Sequence, residues 1–467
     1  MIRALFVVFM IALAVMLFVN RSESVVGADA SGYAGLARML EEGRTVEPTP
    51  LACATCEPYW FVPIGFVAVP GEPAMISMYP VGLPLHLALA ERIRGGMFVV
   101  SPLAGWLLVL CTYWLGRRLH SELAGVVAAM LIALCAVFVM QTLQPMSDVL
   151  AAMWSTAAVA AAVEGRRRPW CSVLAGLCFG VAVLVRPTSA LLLLPLAFAL
   201  GGVRPALRFV IGGLPAALVF GWYNVTTFGK LIEFGYGVSG ATREFALSYF
   251  PARALHYVRW TVEQFSPIAV IAAIVGLVML PRRERWLLGS WLAAFFLVYS
   301  FYYSYEAWWY TRFLIPAYPA LAVAAGVAFT RLMQMRRMLA VATLIVVMTW
   351  ELRQLVRFSA FYTDEDQERF RIPPEVIART LPPRSLVFSM EFSGSIAYYS
   401  DHPILRWDLA PPDRALAFAR GINAPVYALI MRHEEERFRS KYGNAFVRLH
   451  TFGGGTLFGL RGGVAGY

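Results

Sequence analysis

Asp29 lies in the stretch Gly27-Ala28-Asp29-Ala30-Ser31-Gly32-Tyr33, just ahead of apolar residues at Tyr33, Leu36, Ala37 and Leu40. That spacing predicts a helix, and a carboxylate in its first turn is favoured by the helix dipole. Two roles fit: a helix N-cap, or a general base facing a cleft. Arg186 ends an apolar run and precedes Pro187 and Thr188. Its guanidinium either snorkels to a membrane interface or clamps a phosphate through paired N–H donors. Arg312 follows Trp308-Trp309-Tyr310. Those rings fit an interfacial aromatic belt. Ser147 and Asp148 open another apolar run, where helix capping is the plain reading. Asn224 and Glu306 complete the polar set at the edges of apolar blocks. Ionisable groups close to hydrocarbon are costly and point to function.

Cys53 and Cys56 form a CxxC pair in a polar stretch. They read as half of a metal site, with His86 the nearby histidine, or as a local disulfide in an oxidising compartment. The disulfide is favoured. Cys111, Cys135, Cys171 and Cys178 lie inside apolar blocks and read as small packing residues.

The elements that must carry these residues are membrane helices. Of 467 residues, 59% are hydrophobic and 15% charged, against about 25% charged in a soluble domain. The net charge of +11 resides in short arginine clusters between apolar blocks, a pattern that excludes nucleic acid as the partner. The first block, Leu5–Val19, follows Arg3. A signal peptide cleaved near Ala28-Asp29-Ala30 is the alternative; an uncleaved helix is favoured. Further crossings are expected over Met97–Leu115, Leu123–Leu143, Val149–Val163, Trp170–Val185, Leu191–Leu200, Phe209–Trp222, Ile268–Leu280, Trp286–Tyr303, Phe313–Phe329 and Met338–Trp350. Basic clusters at Arg117-Arg118, Arg166 to Arg168, Arg204 with Arg208, Arg282 to Arg285 and Arg331 to Arg337 fall in alternate loops, on the side of Arg3. The positive-inside rule makes that side cytoplasmic. The region from Trp170 to Val203 must then be a tight hairpin with its apex near Arg186-Pro187.

The expected fold is a polytopic α-helical membrane protein with about eleven transmembrane helices. A membrane domain spans residues 1–350, with a first extracytoplasmic loop over 21–96. Surface helices are expected over Ala30–Leu40 and Tyr79–Ile93. Residues 351–467 are charged and proline-punctuated. Apolar runs at Ser385–Ser389, Ile396–Tyr399 and Pro425–Met431 predict strands; Arg414–Arg420 and Glu434–Tyr442 predict helices. These imply a small extracytoplasmic α/β domain.

In order along the chain, six stretches resemble the C-type (GT-C) glycosyltransferases, membrane enzymes that use polyprenyl-phosphate sugars. They are Gly27 to Tyr33, Tyr79-Pro80-Val81-Gly82-Leu83-Pro84, Pro145 to Asp148, Val185 to Thr188, Asn224 to Gly229, and Arg312-Phe313-Leu314-Ile315-Pro316. The nearest likeness is to the protein O-mannosyltransferase and aminoarabinose lipid A transferase group. The likeness covers residues 1 to about 350, and each motif alone is weak. The family's first loop often carries an Asp-Glu pair, and here Ala30 follows Asp29.

The resemblance implies an inverting hexosyl or pentosyl transferase in the inner (plasma) membrane, with a cytoplasmic N-terminus. Its partners would be a polyprenyl-phosphate sugar donor and a lipid, glycan or protein acceptor. Asp29 would be the base, and Arg186 and Arg312 would hold the donor phosphate. Tyr33, Tyr79, Ser147, Asp148, Asn224, Glu306, Trp308 and Trp309 would line the substrate site. No cofactor is required by the pattern, although a divalent metal is compatible with it. A transporter or flippase of a lipid-linked glycan is the competing class. It would need the helices and arginines but no acid on an outer surface helix.

Overall fold

A computed structural model describes residues 2–462, apart from 52, 54–55, 94–95, 241–243, 362–364 and 366. The last five residues of the expected C-terminal domain, 463–467, lie outside the described residues. The chain opens with α1 (Ile2–Val19) and α2 (Gly27–Glu41), then strands β1 (Glu47–Pro48), β2 (Phe66–Ala68) and β3 (Ala74–Ser77), then α3 (Gly82–Arg92). A helical stretch follows: α4 (Val100–Leu119), α5 (Glu122–Ala133), α6 (Ala136–Thr142), α7 (Ser147–Glu164), α8 (Cys171–Val185), α9 (Leu193–Leu200) and α10 (Val203–Phe228). It continues with α11 (Gly235–Ser239), α12 (Phe250–Met279), α13 (Arg282–Ser300), α14 (Tyr318–Met335) and α15 (Arg337–Arg357). The C-terminal part holds α16 (Ile372–Thr380), β4 (Leu386–Phe388), α17 (Ser393–Tyr399), β5 (Ile404–Leu405) and α18 (Pro412–Gly421). It ends with β6 (Val426–Met431), α19 (Glu435–Tyr442), β7 (Phe446–Thr451) and β8 (Gly455–Leu460).

Contacts divide the chain into two units. The helical unit comprises Met1–Arg21, Ile93–Trp222 and Gly240–Phe361. Among its described helices and those that extend from it, six are long and apolar enough to cross a membrane, or seven if the bent pair α5 and α6 is one span. That number is smaller than the expected eleven, for reasons of length and composition. α8 has 15 residues and α9 has 8, or about 22 and 12 Å at 1.5 Å per residue, against a hydrocarbon core of ~30 Å. α13 begins with Arg282-Arg283-Glu284-Arg285, so charged residues occupy its first turn. The break between α8 and the next helical turn does fall at Arg186-Pro187, the expected apex.

Broken helices inside this unit are repaired by side chains. α5 and α6 bend by 67° at Cys135. Gln264 accepts a hydrogen bond from the Val137 backbone N–H at 2.9 Å and donates to Thr311 Oγ1 at 2.7 Å. Without that amide a buried backbone donor would be orphaned, at a cost of about 1–3 kcal/mol. α12 kinks at Ser266, whose φ is 70°, directly before Pro267. Gly176 and Gly276 let backbones approach until a Cβ would collide with the carbonyls of Phe209 and Ala324. Small residues at such crossings are how helices associate in lipid.

The second unit joins Ser22–Arg92 and Tyr223–Ser239 to Tyr362–Tyr467. The sequence boundary at 350 leaves the first loop with the membrane helices; by contacts, that loop packs with the C-terminal residues instead. A five-stranded mixed sheet is ordered β5-β4-β6-β8-β7. β5 and β6 run parallel to β4, and β8 is antiparallel to both β6 and β7. β6, Val426–Met431, is buried along its whole length, which explains its unbroken apolar run. Successive side chains point to opposite faces: Leu386 and Phe388 join a core with Trp407, Phe438 and Phe458, while Val387 joins one with Ile377, Phe392 and Ile396. Trp60 and Phe61 of the first loop are fully buried in the first of these cores.

Ile396–Tyr399, expected as a strand, is the end of helix α17. Phe392 and Ile396, four residues apart, are both fully buried on one core face, and helical spacing satisfies that pairing. The surface helices expected over Ala30–Leu40 and Tyr79–Ile93 correspond in position to α2 and α3. α2 is intrinsically weak. Its interior glycines, Gly32 and Gly35, cost about 2 kcal/mol relative to alanine, and its N-cap, Val26, makes no side-chain cap bond. Packing, not propensity, must hold it.

Candidate functional site

In the second unit, Asp29 sits in the first turn of α2, three residues inside the cap position. It is therefore not the N-cap. Its carboxylate accepts a hydrogen bond from the Tyr79 hydroxyl at 2.6 Å. The hydroxyl reaches it because Gly32, one turn later, lies under the Tyr79 ring, and a Cβ there would strike the ring. It would also come within 2.6 Å of the Gly65 carbonyl. Ser77 Oγ pins the same turn by donating to the Gly32 carbonyl at 3.1 Å and accepting from the Tyr79 N–H at 3.3 Å. Burial pushes the Tyr79 hydroxyl well above the usual tyrosine range, and the neighbouring Asp29 charge adds to the shift. Tyr79 consequently stays protonated and keeps donating. Tyr33 lies 4.5 Å from Tyr79 by ring centroid, and Tyr236 meets Tyr79 edge-on at 5.9 Å. A half-buried carboxylate can accept a proton from a hydroxyl, whereas the Tyr33 and Tyr79 rings, expected to line the substrate site, are only 3% and 5% exposed and pack on one another.

Asn224 belongs to the same unit. It is buried, and its amide donates to the Leu231 carbonyl at 3.0 Å, closing the turn that precedes Tyr236. Cys53 and Cys56 are joined as a disulfide. Cys56 packs beside the core that contains Trp60 and Phe61. Among the described residues, no group of three or more His, Cys, Asp or Glu side chains is arranged to hold a metal ion.

The helical unit assembles the other expected residues. Arg186 pairs with Asp148, whose side chain is 2% exposed in the first turn of α7. Asp148 is not the N-cap of α7, a position held by Met146 with no side-chain cap bond. Arg186 Nε also donates to the Tyr299 hydroxyl at 3.3 Å, and that hydroxyl bonds Thr188 Oγ1 at 2.8 Å. The guanidinium carbon lies 5.0 Å from the centre of the Phe313 ring, and that of Arg312 lies 5.3 Å from it. Phe313 stacks on Tyr299 at 5.0 Å and 11°. Two cations thus share the Phe313 ring, and Asp148 pairs with one of them. Ser147 is buried beside Asp148 at the start of α7.

Glu306 is mostly exposed and is held by Arg253 at 3.2 Å, with His256 Nδ1 at 3.8 Å. Trp308 stacks on Phe358 at 4.5 Å, whereas Trp309 is exposed. Tyr299, Arg253 and His256 escaped the sequence reading, and Thr188 and Phe313 entered it only as neighbours of the two arginines. Tyr299 was hidden at the end of an apolar run. Arg253 and His256, three apart, are a signal that helical spacing could have given.

Residues 78–220 match the model of the dolichyl-phosphate-mannose-protein mannosyltransferase family. No curated protein sequence matches the chain. Among solved structures, the ArnT protein from Cupriavidus metallidurans superposes in its apo state with TM-score 0.64 and 13% identity, over 98% of each chain. The same protein bound to undecaprenyl phosphate gives TM-score 0.64 at 13% identity, over 97% of each chain. The arabinofuranosyltransferase AftD from Mycobacteria gives TM-score 0.57 at 13% identity, covering 97% of this chain and 40% of that one. At such identity the shared property is the fold. The chain resembles the C-type glycosyltransferases in that fold and in the matched family segment.

Proposed function

We propose that this chain transfers a sugar from a polyprenyl-phosphate-linked donor to an acceptor on the extracytoplasmic face of the membrane. The observation that carries the reading is the pairing of Asp29 on α2 with the Tyr79 hydroxyl at 2.6 Å, with Tyr33 and Tyr236 packed on the Tyr79 ring. The likeness to ArnT and the family segment at 78–220 support the same class of donor. The basic loops on the side of Arg3 support the orientation.

The acceptor's O–H gives its proton to the Asp29 carboxylate. The acceptor oxygen bonds to the anomeric carbon as that carbon's bond to the phosphate oxygen breaks. Polyprenyl phosphate leaves with the bonding electrons. A single displacement of this kind inverts the anomeric configuration. Arg186 and Arg312 stabilise the charge that develops on the phosphate; Asp148 and Tyr299 fix the plane of Arg186. Trp309 offers an exposed ring face on which a sugar can stack.

In cells that lack this chain, one polyprenyl-phosphate sugar is expected to accumulate, as read by mass spectrometry of extracted lipids. Periodate added to intact spheroplasts should destroy it, because it should face outward. Unchanged lipid-linked sugars, or accumulation wholly protected from periodate, would contradict the reading.

A further inference from the structure

We infer that helix α17 of the C-terminal segment is a positioning element for the Asp29 carboxylate, acting through Val25 and the packing of α2. The inference rests on the reading of Asp29 as the base. Val25 is fully buried one residue before the α2 cap. Both of its backbone groups are taken by α17 side chains. Its N–H donates to the Tyr399 hydroxyl at 2.9 Å, and its carbonyl accepts from Ser395 Oγ at 3.0 Å. Two hydroxyls from one helix thereby fix the peptide that launches α2.

The grip extends along the helix. Gly394 approaches Ser31 so closely that a Cβ would strike the serine hydroxyl. Ser393 Oγ accepts from the Ile64 N–H at 3.0 Å. The next residue, Gly65, has φ +90° and lies against the Ala28 carbonyl and Gly32, where a Cβ would come within 2.5 and 2.6 Å. Arg38, near the other end of α2, lies 4.3 Å from the centre of the Tyr398 ring. Asp29 sits between Ala28 and Ser31, two of the gripped positions. Since α2 has no side-chain cap and carries two interior glycines, the direction of its first turn depends on these contacts. The C-terminal segment therefore sets where the base stands relative to Tyr79, rather than serving only as an appended module.

The test compares full-length parent, the double variant Tyr399→Phe/Ser395→Ala, and Ser395→Thr, all in lipid nanodiscs. Amide hydrogen exchange reads the grip whether or not sugar transfer occurs. In the double variant, exchange over residues 27–33 should quicken by roughly tenfold or more, with β4–β8 unchanged. Turnover is read with the lipid-linked sugar that accumulates in cells lacking the chain. The double variant should lose kcat on the order of ten- to a hundred-fold, the effect of roughly 1 Å of misplacement, with KM for the donor unchanged. Ser395→Thr keeps the hydroxyl and should behave as the parent. Unaltered exchange in α2 would overturn the inference and leave the transfer reading standing. Faster exchange with parental kcat would also overturn it. Faster exchange in a protein whose parent transfers nothing would uphold the grip and sink the transfer reading.

Discussion

Asp29→Asn should lower sugar transfer by roughly a hundred-fold or more, the usual contribution of a positioned base, while the protein folds and expresses normally. Asparagine matches aspartate in size, and its amide oxygen can still accept the Tyr79 hydroxyl bond seen at 2.6 Å. The exchange weakens a charge-assisted hydrogen bond to a neutral one, a change of about 1 kcal/mol. Stability is therefore a poor explanation for a large loss. Because Asp29 is not the cap of α2, the substitution leaves the helix terminus as it was. Initial rates of transfer, measured with the thermal midpoint of the same preparation, decide the matter. Transfer within a few-fold of the parent would remove Asp29 from the reaction.

The second large effect should come from the buried pair of the helical unit. Asp148→Ala should destabilise the protein by about 3–5 kcal/mol, because it strands the Arg186 guanidinium without its counter-charge. Arg186→Ala should cost a similar amount, since the Asp148 side chain is 2% exposed. Replacing both, as Asp148→Ala with Arg186→Met, should restore most of the lost stability, as apolar replacements of buried ion pairs commonly do. Donor use should not return with it, because the planar fork proposed to hold the phosphate is gone. Chemical or thermal unfolding in detergent, paired with donor KM and kcat, separates the two consequences. Single variants within about 1 kcal/mol of the parent would show that the pair is not a buried one. A double variant with parental donor use would make Arg186 a structural residue only.

Much of this architecture was written in local patterns. Apolar blocks, alternate arginine clusters and the break at Arg186-Pro187 are properties of short windows, and each marks a helix or its end in the structure. Asp29 with Tyr33 was visible because the apolar spacing of α2 is local. Its partner Tyr79 is 50 residues away, and only folding brings the two together. The same distance problem hid the pairing of Arg186 with Asp148, separated by 38 residues, and the grip of Ser395 on Val25, separated by 370. Trp60 and Phe61 looked like part of a polar loop, yet they fill the core of a sheet formed more than 300 residues later. Ile396–Tyr399 misled because β-branched and aromatic residues favour strands, whereas Phe392 and Ile396 bury together only at helical spacing. The bond from the Asn224 amide to the Leu231 carbonyl, seven residues on, was likewise not legible in the sequence. Chemistry-bearing side chains at short range do not announce whether they serve the backbone or a substrate.

The most direct measurement of the central claim is the fate of both halves of the donor. The purified chain in lipid nanodiscs is given an isotopically labelled polyprenyl-phosphate sugar and an acceptor extract, and the products are followed by NMR. The expected result is one polyprenyl phosphate released for each sugar transferred, with the anomeric configuration of the sugar inverted in the product. Sugar that stays attached to its lipid, or that arrives with its configuration retained, would contradict the account.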